Sequence, residues 1–397
     1  MLPRRLLPSA SAKPSMPMAE DDILPDLDAL DGAPHPRDAP AVFGHDHAES
    51  ALLDALASGR LHHAWLLTGP QGIGKATFAW RAARYLLSTP IEEPGGMFGA
   101  PEPATSLDTD PTDPAVRRIL IGTDQRLFVL RRAWNTDKKP YRPRAEITVE
   151  DARKLKAFFS MSIPDGGRRV VIVDAADEMN RNAANALLKA LEEPPENTVF
   201  LLVAHQPARL LATIRSRCRV LRLSPLNATD LGKALAQVEG TDLPDGELAP
   251  LTQLADGSAR TALSLRTAGG ASLYGQIIAL LDTLPRLDRA RAMALATLPG
   301  GAAGTERLSM LITLTERALS QIARQAAISR PLPEATQGEA AIRARLAPTP
   351  HAAQAWAEAA TALPAQVRKG AALNLDPSVL LLDMFRQLQD TARRAAP

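Results

Sequence analysis

The chain has 397 residues, enough for two or three domains, and its 45% hydrophobic and 23% charged content supports ordinary globular cores. Aromatics make up only 4%, so those cores must be built from Leu, Val, Ile and Ala, and a net charge of +2 neither demands nucleic acid nor excludes it. The single cysteine, Cys218, excludes an intramolecular disulfide framework and a Cys-based structural zinc site, and points to a reducing, cytoplasmic compartment.

No apolar run reaches the roughly 18 residues of a membrane span. The first residues carry two arginines and several leucines, a faint likeness to a targeting segment. Pro3, Pro8 and Pro14 interrupt the apolar stretch that a secretory signal needs. A disordered leader, or a start upstream of the true one at Met16 or Met18, is the competing reading. Residues 1–40, rich in Pro, Ala and Asp without periodicity, read as a disordered arm.

Order is expected from Val42-Phe43-Gly44. A helix carrying Ala48, Leu52, Leu53 and Leu56 follows and stops at Gly59. His63 to Thr68 reads as a short buried strand ending in Gly-Pro, and Ala76 to Leu87 has helical spacing. Residues 88–118, rich in Pro, Gly and acidic side chains, read as an insertion or mobile loop. Leu127 to Leu130 reads as a strand, and the basic stretch Arg131 to Arg144 as a loop. Thr148 with Asp151 marks a helix start through Lys154 and Phe158. Val170 to Asp174 is a continuous apolar strand ending in a carboxylate. Asn182 to Leu191 is helical until Glu192-Glu193-Pro194-Pro195 stops it, and Val199 to Ala204 is another buried strand. Buried strands alternating with helices predict a parallel α/β sheet covered on both faces.

After Pro225 the character changes. Residues 227–268 read as a small helical unit, and 269–397 as Ala/Leu-rich helices broken by Pro and Gly, a globular bundle because no heptad is sustained. One late helix is well marked: Asp376 as N-cap, Pro377 at the first helical position, then Val379, Leu380, Leu381, Met384 and Phe385 as its apolar face.

The chemistry begins at Gly69-Pro-Gln-Gly72-Ile-Gly74-Lys75-Ala76-Thr77, which contains the G-x-x-x-x-G-K pattern between a strand and a helix. The glycines let backbone N–H groups converge on phosphate oxygens, and Lys75 is placed to reach the β/γ-phosphates. The pattern fails at one position: the hydroxyl that normally binds Mg²⁺ after the lysine is replaced by Ala76. Thr77 lies about 100° further round the helix and does not substitute directly as a metal ligand. Asp174, ending a buried strand, stands where such enzymes keep a second carboxylate for Mg²⁺. The other reading of this acidic stretch is a helix cap, Asp177 or Asn180.

Asn185-Ala-Leu-Leu-Lys-Ala-Leu-Glu-Glu-Pro-Pro195, with Ser216-Arg217-Cys218 downstream, closely resembles the clamp-loader subunits of bacterial DNA polymerase III, members of the AAA+ family. The likeness runs from about residue 42 to 265 and continues weakly to Asn374-Leu-Asp376-Pro377. It implies an AAA+ P-loop core with a parallel sheet at 41–226, a helical lid at 227–268 and an all-helical, oligomerising collar at 269–397. It also puts Asp174 at the carboxylate position of the second nucleotide motif. The following position, which holds the water-activating glutamate in the family's ATPase subunits, is Ala175, and alanine cannot activate water. Sliding the frame to use Asp177 and Glu178 breaks the spacing to Asn185. The γ-phosphate-sensing threonine is also replaced, within Val203-Ala204-His205.

By the same resemblance Arg217 matches an arginine finger presented to a neighbour's ATP, its other reading being an arginine paired with a helix end or an acidic residue. Arg260 matches the lid arginine that reaches toward nucleotide, and is otherwise a solvated helix residue. The implied activity is that of a non-motor loader subunit that helps place the sliding clamp on primed DNA. Its implied partners are the tau/gamma and delta subunits, the clamp indirectly, and primed DNA in the assembly, with no membrane. The alternative is an active motor subunit of the same loader. No cofactor is required on this reading, although the degenerate P-loop can hold ATP or ADP through Gly69, Gly72, Gly74, Lys75, Thr77, Asp174 and Arg260. No zinc is expected. His45, His47, His62 and His63 read as packing or hydrogen-bonding residues. Arg131, Arg132, Lys138, Lys139, Arg142 and Arg144, with Trp134 and Tyr141 between them, form either a DNA-phosphate contact or a solvated loop.

Overall fold

A computed structural model describes residues 26, 32–91, 104–136, 141–163, 167–244, 246–328 and 330–396. The elements of the first 225 residues are α1 (Asp46–Ala57), β1 (Ala64–Thr68), α2 (Lys75–Ser88), α3 (Pro114–Leu120), β2 (Leu127–Arg131), β3 (Trp134–Asn135), β4 (Arg142–Pro143), α4 (Val149–Ser160), β5 (Arg169–Asp174), α5 (Arg181–Glu192), β6 (Thr198–Ala204), α6 (Ala212–Arg215) and β7 (Arg219–Arg222). Five strands form one parallel sheet in the order β2-β5-β6-β1-β7, and β3 and β4 form a separate antiparallel pair.

The sheet is buried on both faces, as its apolar strands require. Trp65, Leu67, Val170, Ile172, Leu201 and Val203 face a core shared with α1 and α2. Their neighbours Leu66, Val171, Val173, Phe200 and Leu202 face a second core with α4 and α5. This is the period-two alternation of a strand, with both sides apolar. The registers Thr68 to Ala204 and Asp174 to Val203 bring the C-terminal ends of β1, β6 and β5 to one edge of the sheet. In open parallel sheets that edge is where ligands bind.

Local signals in the sequence have visible counterparts. Thr148 and Asp151 make a reciprocal capping box on α4. The Asn180 side chain accepts from the Ala183 N–H at the start of α5. Gly59 follows α1 at φ +65°. Other stretches differ from the sequence reading. Residues 1–25 and 27–31 of the expected arm lie outside the described residues, but 32–40 are built against α2: Arg84 donates to the carbonyls of Arg37 and Ala39, and Ala39 is buried. The expected mobile loop at 88–118 contains α3, capped by Asp113 and anchored by buried Ile119 and Leu107; residues 92–103 lie outside the described ones. Strand β7 was not expected, because only Leu221 of its four residues is buried. Lys138 and Lys139 of the basic stretch also fall outside the described residues, while Arg132 and Arg144 pair with Glu178 and Asp151.

The remainder is helical: α7 (Ala228–Glu239), α8 (Leu248–Ala255), α9 (Ala259–Thr267), α10 (Gly270–Asp282), α11 (Arg289–Ala296), α12 (Gly301–Ile328), α13 (Glu339–Leu346), α14 (Pro350–Ala372) and α15 (Pro377–Ala395). One continuous cluster of buried side chains runs from Leu226 through α7–α9 to Ala395, so the lid and collar stretches share a core. Asp376 caps α15 through the Ser378 N–H at 2.8 Å. The buried stripe of α15 is Leu381, Met384, Phe385 and Leu388, a helical i, i+3, i+4, i+7 face. Val379, expected on that face, is instead 62% exposed.

Trp356 sits fully buried in this shared core, its indole N–H donating to the Leu346 carbonyl at 2.8 Å. Trp356→Ala is expected to cost about 3–5 kcal/mol in urea unfolding, and α7–α9 should be lost in the same transition as α10–α15. Separate melting of the two stretches would contradict a common core.

Candidate nucleotide cleft and the opposite sheet edge

The loop between β1 and α2 needs its glycines. Gly69 has φ +149°, and a Cβ there would stand 2.4 Å from the Leu223 carbonyl oxygen. Gly72 has φ +79°, and its Cβ would meet Ser258 Oγ at 2.3 Å and Arg260 Cβ at 2.6 Å. The lid therefore rests directly on the loop, and the Arg260 N–H donates to the Gly72 carbonyl at 3.2 Å. His45 Nε2–H donates to the Ile73 carbonyl at 2.7 Å, and burial lowers its pKa, so it braces the loop as a neutral ring. His63 likewise bonds the Leu191 carbonyl, and His62 stacks on it with ring centroids 4.5 Å apart. Packing and hydrogen bonding account for these three histidines.

Gly74 directly precedes α2, whose first N–H groups have no partner within the helix. Lys75 is 3% exposed, and its Nζ donates to the carbonyls of Gly69, at 2.7 Å, and Pro70. Burial pulls its pKa down to about 8, opposed by the charges of Asp174 and Asp177. With it, Gly72, Gly74, Ala76, Thr77, Asp174, Ala175, Glu178, His205 and Arg260 line a cleft with a cavity volume of about 240 Å³. Pro36, Val42, Phe43, Leu226, Val238 and Leu263 add apolar walls to the same cleft. The lining thus combines the glycine loop, Lys75 and Arg260 with apolar walls.

The metal and water positions are not matched. Ala76 offers a methyl group where a Mg²⁺ ligand is needed, and buried Ala175 follows Asp174. The neighbouring acids are committed elsewhere. Asp177 accepts the N–H groups of His205 and Gln206 at 3.0 and 2.8 Å, fixing the end of β6, and Glu178 pairs with Arg132 at 2.7 Å. Among the described residues no group of three or more His, Cys, Asp or Glu is placed to hold a metal ion. Two cleft residues had no site role in the sequence reading, Glu178 and His205, and Arg132, read there as part of a DNA-phosphate contact or solvated loop, also lines the cleft. Burial and the Lys75 charge push the His205 pKa down to about 4, and its Nδ1 is buried without a hydrogen-bond partner.

Of the residues singled out in the sequence, the structure gathers Gly72, Gly74, Lys75, Thr77, Asp174 and Arg260 on this cleft, with Gly69 shaping the loop, and leaves Arg217 away from it. Arg217 precedes β7, which is parallel to β1 and pairs Arg219 with Trp65. Four residues of strand, about 13 Å, separate that level from Gly69. Arg217 lies beyond it, toward the opposite edge of the sheet. Its guanidinium donates to the Thr213 carbonyl at 3.0 Å and pairs with Glu192 at 2.9 Å, with both side chains more than a third exposed. Among the described residues no helix is long and apolar enough to cross a membrane.

With this geometry in hand, the relatives are informative. Residues 44–227 match the family model described as DNA polymerase III, delta subunit. A DNA polymerase III subunit delta' of Pseudomonas aeruginosa is 36% identical over 231 residues, covering 58% of this chain and 64% of the relative. The tau subunit of Escherichia coli is 32% identical over 276 residues, covering 68% of this chain and 39% of the relative. The chain thus spans less than two thirds of the length of either curated relative. A DNA polymerase III gamma subunit-related protein of Thermotoga maritima aligns structurally over 86% of this chain and 100% of its own, at 17% identity and TM-score 0.38.

Lys75 gives a stability test. Its folded pKa, about 8, lies below its ordinary 10.5, so between those values the unfolded chain binds more protons and stability rises with pH; below pH 8 the full burial cost is present. Lys75→Met is expected to raise the unfolding free energy at pH 7 by roughly 1–3 kcal/mol and to abolish that rise. A destabilised variant that keeps the rise would contradict the assignment.

Proposed function

We propose that this chain, a clamp-loader protein of the DNA polymerase III delta-prime type, serves as a non-motor subunit that lends Arg217 to the ATP site of a neighbouring subunit. The observation that carries the reading is the cleft's own composition. Lys75 and Asp174 remain, but Ala76 and Ala175 stand where a metal-binding hydroxyl and a water-activating acid are needed.

Arg217 suits the reciprocal role. A guanidinium supplied in trans stabilises charge building on a transferring phosphoryl group through its planar fork of donors. The Glu192 contact does not lock it: an exposed ion pair of this kind is worth about 0.2–1 kcal/mol, so a phosphate can displace the carboxylate. In this reading the collar helices assemble the chain with tau/gamma and delta subunits, the assembly opens the sliding clamp and closes it on primed DNA, and the work is cytoplasmic. The chain's own cleft holds nucleotide through Gly69, Gly72, Gly74, Lys75, Thr77, Asp174 and Arg260, without turning it over. ATP contacting Arg217 across the interface couples the neighbour's nucleotide state to subunit packing.

One observation favours the rival reading of an active motor subunit: Glu178 lines the cleft, and burial raises its pKa, as befits a general base. Against it, Arg132 holds that carboxylate at 2.7 Å. ATP turnover by the purified chain decides between them. The expected rate is that of the protein-free blank. Steady hydrolysis that disappears in both Lys75→Ala and Glu178→Gln would establish the motor reading instead.

A further inference from the structure

We infer that Arg317 of α12 is a positioning residue for the cleft: it grips the turn between α8 and α9, and so fixes the first turn of α9 on the P-loop. This role is independent of the one given to Arg217 and of whether the chain turns over ATP.

Helix α8 ends at Ala255, and the chain then enters the left-handed region twice, at Asp256 with φ +49° and at Gly257 with φ +69°. That conformation suits glycine better than aspartate. At Asp256 it is supported from α12. Arg317 donates to both carboxylate oxygens of Asp256, one of them at 2.8 Å, and to the Gln253 carbonyl in the last turn of α8. The guanidinium thus forks onto one carboxylate and also caps one of the carbonyls that a helix end leaves without an internal partner. The Arg317 side chain is mostly buried, whereas that of Asp256 is exposed, so the grip is anchored on the collar and reaches outward to the turn.

From this turn the path to the P-loop is short. Ser258 caps α9 by accepting the Thr261 N–H at 3.2 Å. The Arg260 N–H, second in the helix, has no acceptor inside it. The P-loop supplies one, the Gly72 carbonyl, and Arg260 lines the cleft from there. The fully buried apolar residues that α9 gives to the shared core, Ala262, Leu263 and Leu265, all lie beyond this first turn. The placement of Asp256 to Ser258 therefore rests largely on polar contacts, and Arg317 is the ionic hold that α12 has on them. A shift of α12, as when a partner docks on the collar, is passed to Gly72 through residues 256–260. By linkage the converse holds: whatever seats α9 more firmly on the P-loop strengthens the grip of Arg317.

The test is hydrogen–deuterium exchange of the full chain, read by mass spectrometry with fragmentation that resolves the Arg260 amide. Arg317→Ala is expected to speed exchange at Arg260 by about tenfold, while Leu263 and Leu265, bonded within α9, keep their rates. Asp256→Gly separates the ion pair from the turn, because glycine favours the left-handed conformation and only the carboxylate is lost. It should also speed exchange at Arg260, and the double variant should exchange no faster than Arg317→Ala alone. The Asp256 side chain is 76% exposed, so Asp256→Gly keeps the test open even if Arg317→Ala folds poorly, and a circular dichroism melt verifies each variant. An Arg260 amide as protected in folded Asp256→Gly as in the unmodified chain would overturn the inference. So would a uniform rise across α9 and α10, which reports lost global stability and no specific hold on the P-loop.

Discussion

The contact on which the architecture turns is the seating of α9 on the P-loop. The Arg260 N–H reaches the Gly72 carbonyl at 3.2 Å, across a gap that admits no side chain at position 72. Just before it, Gly257 adopts φ +69°, a Cβ there would stand 2.5 Å from the Leu226 carbonyl oxygen, and the Leu226 N–H donates to the Gly257 carbonyl at 3.0 Å. These backbone approaches bring lid and core together along the cleft. Because α9 shares its core with α10–α15, the P-loop is mechanically continuous with the last helix of the chain.

A parallel sheet then separates the cleft from Arg217 in space. All C-terminal strand ends lie on one side, and there Asp174 and His205 line the cleft together with Arg260 of α9. The opposite side carries Arg217, held between the end of α5 and the α6 carbonyl of Thr213. Helix α5 joins the two sides: it starts at the Asn180 cap beside Glu178 and ends at Glu192. In this account the chain uses one side to hold nucleotide and the other to act on a neighbour's. On the first side Lys75 and Asp174 stand beside Ala76 and Ala175, which in this account makes it half of a shared site.

What the sequence made legible depended on locality. The strand, glycine loop and helix around Lys75, the capping box at Thr148 and the Asp376-Pro377 start are each written within a few consecutive residues. So is the chemical deficit at Ala76 and Ala175. Features that depend on residues distant in sequence were not legible. Residues 32–40 carry no periodicity because they follow the surface of α2 and take their support from Arg84. Edge strand β7 buries one residue in four and is otherwise arginine-rich, so its pattern does not announce a strand. Val379 is apolar but stands two residues before Leu381, nearly opposite it on the helix and off the i, i+3, i+4, i+7 face that the bundle covers. The roles of Glu178 and His205 emerge only when β5 and β6 are set side by side, and the same is true of the pairing of Arg217 with Glu192.

The central claim is that this chain's contribution to ATP turnover lies in Arg217 and not in its own Lys75. The most direct measurement compares Arg217→Ala and Lys75→Ala chains in a reconstituted loader of tau/gamma and delta subunits, reading clamp- and DNA-stimulated ATPase after confirming assembly by gel filtration. The account predicts that Arg217→Ala depresses turnover at the neighbour's site by about 10³-fold, whereas Lys75→Ala leaves stimulated turnover near the unmodified level. Unchanged turnover with Arg217→Ala, or a collapse with Lys75→Ala in an intact assembly, would contradict it.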